Sequence, residues 1–277
     1  MVARMESILK AGGFTVTAGI EPPETADAGP LARAAEALAR KVHAVLVSDG
    51  DGPRMAGLAA CLHLASAGIE PVLELSTRDM NRIALKSTLI GAASLGVGTV
   101  VCTAGIHQAL TQSRAARGVF DLDPVQLLLA ARNIEDGRRL LTGTTTNPFS
   151  DPIELQILGL EKAARAGARF VITAPVFNLA RLQEWMGLIR EKGLHERIHI
   201  IAGVLPLSTA DEAMELRERY CGLDIPDEII QSISLDFAAE TARELSKLEG
   251  IRGIHIHPFG EGRVERVLDA AGIRSQT

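Results

Sequence analysis

The sequence is poor in aromatic residues and in cysteine. Seven Phe, one Trp and one Tyr among 277 residues are too few for a surface that stacks nucleic-acid bases. The three cysteines, Cys61, Cys102 and Cys221, are an odd number and lack the paired spacing of a disulfide framework or a zinc site. We therefore expect reduced thiols in a reducing compartment.

Long apolar runs and an excess of positive charge are also missing. No run approaches the ~20 residues that span a bilayer, and the N-terminus lacks the apolar core and cleavage site of a signal peptide. Lys and Arg total 29 against 34 Asp and Glu, so the net charge is −5. A basic face for nucleic acid or an anionic membrane is not expected. The composition predicts a cytoplasmic protein with no membrane span.

What the sequence does contain is a regular alternation of short β-branched runs with amphipathic stretches. Strands are predicted at residues 15–20, 43–48, 72–77, 99–103, 139–144, 170–174, 198–204 and 253–258. Helices are predicted at residues 31–41, 55–66, 81–95, 124–133, 153–166, 179–191, 209–220, 227–248 and 262–271. Three helices stop just before a strand at Gly68, Gly96 and Gly167, because glycine tolerates a left-handed C-terminal position.

Eight such units in a chain of 277 residues predict a single (β/α)8 TIM barrel over residues 1–277. The alternative is an open doubly wound sheet, which usually carries a Gly-rich fingerprint after its first strand. Here Glu21-Pro22-Pro23-Glu24 follows instead. Residues 105–123 exceed one unit and form a candidate lid or ligand loop. Residues 205–250 are also long, and we expect two helices there.

Barrel chemistry is expected at the C-terminal ends of the strands. There Glu21 leaves an apolar strand between restricting prolines, which suits a general acid of raised pKa. A surface salt bridge fits the same spacing equally well. His255 and His257 share one strand face, but no third ligand stands at metal spacing, so hydrogen bonding is favoured over a metal site. Residues 143–147 form either a ligand turn or a helix-entry turn.

Ordered motifs run along nearly the whole chain. They are Gly19-Ile20-Glu21-Pro22-Pro23, Arg78-Asp79-Met80-Asn81-Arg82 with Leu89-Ile90-Gly91-Ala92, Asn147-Pro148, Ala166-Gly167-Ala168 with Phe170-Val171-Ile172-Thr173, Ala202-Gly203-Val204-Leu205-Pro206 and Ile225-Pro226-Asp227-Glu228. In this order and spacing, the set resembles the methylenetetrahydrofolate reductase family. Each motif alone is weak, and their joint occurrence carries the resemblance.

The resemblance implies a flavin-dependent enzyme that reduces 5,10-methylenetetrahydrofolate to 5-methyltetrahydrofolate. Glu21 matches the acid that helps to open the imidazolidine ring. FAD, or FMN, would lie across the strand ends, with a nicotinamide or a separate redox subunit as electron donor in a homo- or hetero-oligomer. The positions implied for the flavin are Ser48, Glu74, Thr103, Ala104, Gly105, Ile106, Gly143, Asn147 and Lys162, and those implied for the folate are Ala174 and Phe177.

Several positions depart from the family pattern. Ile106 replaces an aspartate, Ala174 replaces a glutamine, and Glu74 stands where histidine is common. Side chains that could replace the lost hydrogen bonds, unless they only cap helices, are Thr103, Thr173, Asn178 and Glu74. The departures leave two alternatives open: a non-catalytic accessory paralogue acting with a partner subunit, and a flavin-free pterin-binding methyl-transfer protein.

Overall fold

The computed structural model describes residues 4–50, 52–111, 113, 115–134, 139–220, 222–260, 262–273 and 275. Eight parallel strands pair in chain order, and the last pairs with the first, with Thr17 opposite His255 in the closing register. The predicted (β/α)8 TIM barrel is confirmed. The open doubly wound alternative is wrong, because such a sheet leaves its outer strands unpaired.

All eight predicted strands are present, with ends shifted by at most a few residues. They are β1 (Thr15–Ile20), β2 (Ala44–Val47), β3 (Pro71–Ser76), β4 (Thr99–Thr103), β5 (Leu141–Thr146), β6 (Phe170–Pro175), β7 (His199–Val204) and β8 (Ile251–Ile256). Successive residues of each strand point in turn to the barrel interior and to the surrounding helices, so both faces of each strand are covered. This explains why the strands are almost continuously apolar.

The helices surround the barrel and return the chain to its N-terminal face. They are α1 (Arg4–Lys10), α2 (Gly29–Leu38), α3 (Gly57–Ser66), α4 (Arg82–Ser94), α5 (Pro124–Arg132), α6 (Ile153–Ala166), α7 (Leu179–Glu191), α8 (Ala210–Arg219), α9 (Asp227–Ile230), α10 (Leu235–Lys247) and α11 (Arg263–Ala271). The predicted glycine stops are confirmed, since Gly68, Gly96 and Gly167 have φ of 83°, 83° and 120°.

Helix α1 was not predicted, and it closes the N-terminal end of the barrel. Met5 and Leu9 are buried with the side chains of the barrel interior. The carboxylate of Glu70, just before β3, accepts the main-chain N–H of Arg4 at 2.5 Å and that of Met5 at 3.3 Å. The first turn of α1 is thereby capped from a distant part of the chain.

The prediction of one helix over residues 227–248 is wrong. The structure has α9 and α10 instead, and Ser234 caps α10 by accepting the N–H of Phe237 at 3.1 Å. The segment between β7 and β8 therefore holds three helices, counting α8. Residues of this segment form a small apolar cluster together with Phe177, which follows β6; they are Leu207, Ala213, Ile225, Ile230 and Ile233.

Cys61 and Cys102 are buried free thiols, and burial raises the pKa of each to about 12. Their thiols are therefore protonated and inert at neutral pH. Cys221 lies outside the described residues. In the described part of the chain, no helix is long and apolar enough to cross a membrane.

Candidate functional site

A cavity of about 140 Å³ lies at the C-terminal mouth of the barrel. The ends of β1 to β4 supply most of its wall, as expected for the functional face of this fold. Its lining residues are Glu21, Ser48, Asp49, Gly50, Glu74, Ser76, Arg78, Thr103, Gly105, Ile106 and Tyr220. The structure thus brings together six of the residues predicted from the sequence, namely Glu21, Ser48, Glu74, Thr103, Gly105 and Ile106.

Two carboxyl groups meet in this wall. The main-chain N–H of Asp49 donates to Glu74 at 3.2 Å, and the Asp49 carboxylate accepts the main-chain N–H of Ser76 at 3.1 Å. Burial is the main reason that the pKa of Glu74 rises to about 7 and that of Asp49 to about 6. Glu74 and Asp49, two mouth carboxyls for which the sequence predicted no raised pKa, therefore carry a proton that is exchangeable near neutral pH.

Arg78 holds the loops around the cavity together. Its buried guanidinium donates to the Ile106 carbonyl at 3.2 Å and to the Gly50 carbonyl at 3.0 Å, and it pairs with Asp79 at 2.5 Å. The loops after β2, β3 and β4 are thereby joined at one cation. Its motif neighbour Asn81 caps α4 by accepting two main-chain N–H groups. In this chain, Arg78 of the Arg-Asp-x-Asn-Arg motif thus joins loops at the mouth, and Asn81 of the motif caps a helix.

Glu21 lies at the rim of the cavity, with about half of its side chain exposed. Arg54 pairs with its carboxylate at 2.9 Å and donates to the Pro22 carbonyl at 3.1 Å. The ion pair expected from the surface interpretation is therefore present. The acid role of Glu21 stays a prediction.

The loop after β4 covers one side of the cavity. Thr103 and Thr145 share a hydrogen bond of 3.0 Å between their hydroxyls. Gly105 has a φ of 75°, and a Cβ there would lie 2.5 Å from the Ser76 hydroxyl, so glycine is required. Ala104 is exposed, and Ile106, which stands for the family's aspartate, is 40% exposed at the cavity wall.

Gly143 and Asn147, predicted near the flavin, do not line the cavity. A Cβ on Gly143 would lie 2.4 Å from the Phe170 ring, so this glycine makes room for packing inside the barrel. The Asn147 amide donates to the Gly222 carbonyl at 2.8 Å, and its oxygen accepts the N–H of Phe149 at 3.0 Å. The amide of Asn147 therefore holds the turn after β5 in place.

Lys162, Ala174 and Phe177 also lie outside the cavity wall. Lys162 is exposed on α6, in the half of the helix that leads away from the mouth. Ala174 is partly buried against the core, and Phe177 is 6% exposed within the apolar cluster beneath α8 and α9. Both side chains therefore pack against other apolar residues rather than in the cavity wall.

The proposed replacements for the lost hydrogen bonds divide into two groups. Glu74 and Thr103 line the cavity, whereas Thr173 and Asn178 have structural partners. The Thr173 hydroxyl accepts the main-chain N–H of Gly203 at 2.9 Å, across the irregular pairing of β6 with β7. Asn178 caps α7 and donates to Asp224 at 3.0 Å. For Asn178 the helix-cap alternative is thus what the structure shows.

His255, buried on β8, and His257, partly buried just after the strand, form a polar pair. Their rings meet edge to face with centroids 4.8 Å apart, and His255 Nδ1 lies 3.0 Å from the Thr17 hydroxyl. Burial lowers the pKa of His257 to about 4 and lowers that of His255 well below 6.5, so both imidazoles are neutral at pH 7. Within the described ranges, no group of three His, Cys, Asp or Glu side chains has a metal-binding arrangement.

Sequence reasoning did not single out Asp49, Arg78 and Tyr220 as site residues. A signal existed for the first two, since Asp49 directly follows Ser48 at a strand end and Arg78 begins a motif. Tyr220 follows α8, far along the chain from the strands whose ends it meets. Nothing local in the sequence indicates that approach.

The sequence model of the family described as methylenetetrahydrofolate reductase matches residues 4–254. No curated protein matches the chain.

Solved structures of the same fold include proteins of different activities. One is an uncharacterized protein from Clostridium thermocellum that binds two copies of 5-methyl-5,6,7,8-tetrahydrofolic acid; it is 14% identical, with a TM-score of 0.74 and 96% of each chain covered. A 2,3-dimethylmalate lyase of the PEP mutase/isocitrate lyase superfamily is 16% identical, with a TM-score of 0.56 over 94% of this chain and 81% of the lyase. Tryptophan synthase from M. tuberculosis is 16% identical, with a TM-score of 0.56 over 97% and 96%. At these identities the likeness shows the fold alone.

Proposed function

The chain belongs to the methylenetetrahydrofolate reductase family, and from that premise we propose that it binds a reduced folate at the mouth of its barrel and serves one-carbon chemistry there. The observation that carries the proposal is the pair of carboxyl groups, Asp49 and Glu74, in the cavity wall. The Clostridium thermocellum protein of the same fold, which binds 5-methyltetrahydrofolic acid, supports the ligand class.

The chemistry of the pterin ring matches this wall. A 2-amino-4-oxo pterin presents adjacent N–H donors from its ring N3 and its amino group. A carboxylate accepts such a pair of parallel hydrogen bonds in one plane. Glu74, whose pKa is about 7, takes up or releases a proton near neutral pH and thereby serves either protonation state of the ring.

The size of the cavity limits what it holds. Its volume of about 140 Å³ is small beside the ~300–1,000 Å³ of typical ligand pockets. One pterin ring is a suitable occupant, and the remainder of a folate would extend outward through the open mouth. Two ring systems stacked on each other would need more room than the described wall encloses.

The residues of the wall do not fit a flavin. The phosphates of a flavin nucleotide and the N1 edge of a reduced flavin are negatively charged, whereas Glu21, Asp49 and Glu74 are acidic. In the part of the mouth that the structure describes, Arg54 and Arg78 are both already paired with carboxylates. Lys162, implied to meet the phosphates, lies away from the mouth.

Flavin-dependent reduction of methylenetetrahydrofolate is the second candidate. The observation in its favour is that Glu21, which matches the family's acid, lines the same cavity as Glu74. In this candidate Glu21 would protonate the folate. Because the described wall does not fit a flavin, the electron source (FAD or FMN, a nicotinamide or a separate redox subunit) would have to be held outside that wall. Isolated protein that is yellow, and whose extracted chromophore has the mass of a flavin, would favour this candidate over the first.

Calorimetric titration with 5-methyltetrahydrofolate at pH 7 tests the first candidate. We expect wild-type protein to bind, and Glu74→Gln to weaken binding about 10- to 150-fold, because a hydrogen bond to a charged group is lost. Glu36→Gln, an exposed position on α2, is the matched control and should bind like wild type. Folded wild-type protein that binds no folate would contradict the proposal and favour the accessory alternative.

A further inference from the structure

Tyr220 reaches the mouth cavity from a distant segment. It directly follows α8, where its main-chain N–H donates to the Leu216 carbonyl at 2.8 Å and ends the helix. Tyr220 nevertheless lines the cavity together with Glu74, near the end of β3, and Asp49, which follows β2. The insertion between β7 and β8 thus contributes a wall that the strands themselves do not supply.

The backbone around Tyr220 is well anchored. Arg217 of α8 donates to the Ile225 carbonyl at 3.1 Å and so joins α8 to the residues just before α9. Arg219 donates to the Leu110 carbonyl at 3.3 Å, which ties this segment to the loop after β4. Beneath it, the apolar cluster that contains Phe177 fixes the insertion on the barrel. These contacts hold the backbone at Tyr220 against the mouth of the barrel.

The environment of the ring suits stacking. Tyr220 is the sole tyrosine of the sequence, and among the described residues of the cavity wall it supplies the aromatic ring. The Arg219 guanidinium lies 5.1 Å from the ring centroid, so a cation polarises this ring. Carboxylates recognise a pterin along its edge, but they leave its two flat faces without a contact. An aromatic ring in the same small cavity provides one.

We propose that Tyr220 is a specificity-determining residue that stacks on the face of the pterin ring while Glu74 and Asp49 hold its edge. The inference rests on the proposed folate site and deepens it, since it selects flat heteroaromatic rings rather than any ligand with N–H donors. Stacking of a nucleic-acid base on an aromatic side chain sets the scale, about 5- to 150-fold in affinity.

The test compares Tyr220→Phe with Tyr220→Leu by calorimetric titration. The ligands are 5-methyltetrahydrofolate and 6-methyltetrahydropterin, which lacks the p-aminobenzoyl-glutamate tail. Tyr220→Phe should bind both like wild type, because the ring is retained. Tyr220→Leu should weaken both about 5- to 150-fold, because stacking is lost. Tyr220→Met, also non-aromatic, replaces the Leu variant should the latter fail to fold.

Phe259 offers a matched control. Arg263 lies over its ring at 5.5 Å, as Arg219 lies over Tyr220, but Phe259 lines a neighbouring groove and not the mouth cavity. Phe259→Leu should therefore bind the tetrahydropterin like wild type. Equal affinity of wild type and folded Tyr220→Leu for both ligands would overturn the inference and leave the folate proposal standing. Absence of binding by wild type would overturn both.

Discussion

The main-chain N–H of Asp49 donates to the carboxylate of Glu74 at 3.2 Å, and this contact joins the ends of two neighbouring strands. It brings two carboxyl groups to one small cavity, where burial raises the pKa of both. Acceptors of this kind, surrounded by protein rather than water, are suited to a ligand that presents N–H donors.

Glu74→Gln should change how stability depends on pH. Burial raises the folded pKa of Glu74 from 4.5 to about 7, so its stabilising contribution is complete below pH 4.5 and is lost as the pH rises to 7. Glutamine does not titrate. Between pH 4.5 and 7 the free energy of unfolding of the variant, relative to wild type, should therefore rise on the order of 3 kcal/mol.

Urea unfolding at several pH values measures this difference. Both proteins share the opposite trend of His255 and His257, whose lowered pKa values weaken the fold as the pH falls below 6.5. Subtracting the free energy of unfolding of wild type from that of the variant cancels this trend. Glu36→Gln on the exposed face of α2 should show no pH-dependent difference. Parallel curves for wild type and Glu74→Gln would contradict the assignment.

Gly105→Ala should destabilise the mouth, whereas Gly159→Ala should stabilise the protein. Alanine at Gly105 meets both a φ of 75° and a Cβ position 2.5 Å from the Ser76 hydroxyl, at a cost of about 1–2 kcal/mol or more. Gly159 is exposed within α6 with nothing within 4 Å of an added Cβ, so alanine should add about 0.5–1 kcal/mol. Equal effects in chemical unfolding would count against the strained geometry of Gly105.

Arg78→Met should loosen the loops that meet at the cavity. It removes the donors to the Gly50 and Ile106 carbonyls, at a cost of about 1.5–3 kcal/mol for each buried bond to a charged group. Hydrogen exchange in residues 104–110 should accelerate. Arg82→Gln, which removes the exposed pair with Asp121, is the control and should leave that exchange unchanged. Unaltered exchange in Arg78→Met would show that the loop after β4 keeps its conformation without Arg78.

Met5→Ala should lower the free energy of unfolding by about 2–5 kcal/mol, although it lies near the N-terminus. Met5 is 1% exposed and packs inside the end of the barrel opposite the cavity. Met214→Ala, at a side chain 38% exposed on α8, is the control and should change stability by less than about 0.5 kcal/mol. Similar losses for the two variants would mean that α1 does not plug the barrel.

Local patterns in the sequence were sufficient to predict the strands, most of the helices and the family. The apolar runs that became β1 to β8 are buried on both faces, and this burial leaves a signal that needs no distant partner to be read. Gly167 ends α6 for an equally local reason, its φ of 120°. The ordered motifs led to the family whose sequence model matches residues 4–254.

Motifs located the candidate site only in part. Glu21, Glu74 and Ile106 do line one cavity, because the ends of parallel strands meet on one face of a barrel. Phe177 matched a folate position by sequence, but it is buried in the apolar cluster beneath α8 and α9. A sequence position next to a strand end does not say which way the side chain turns.

The sequence by itself determined eight strands, their helical connections and the acidic residues at the strand ends, since each depends on neighbours a few residues apart. Only the tertiary structure decided that Met5 plugs the barrel, that residues 227–248 break into two helices, and that Tyr220 and Glu74 line one cavity. These outcomes depend on contacts between segments far apart in the chain. Closing the barrel creates such contacts, and with them the burial that raises the pKa of Glu74.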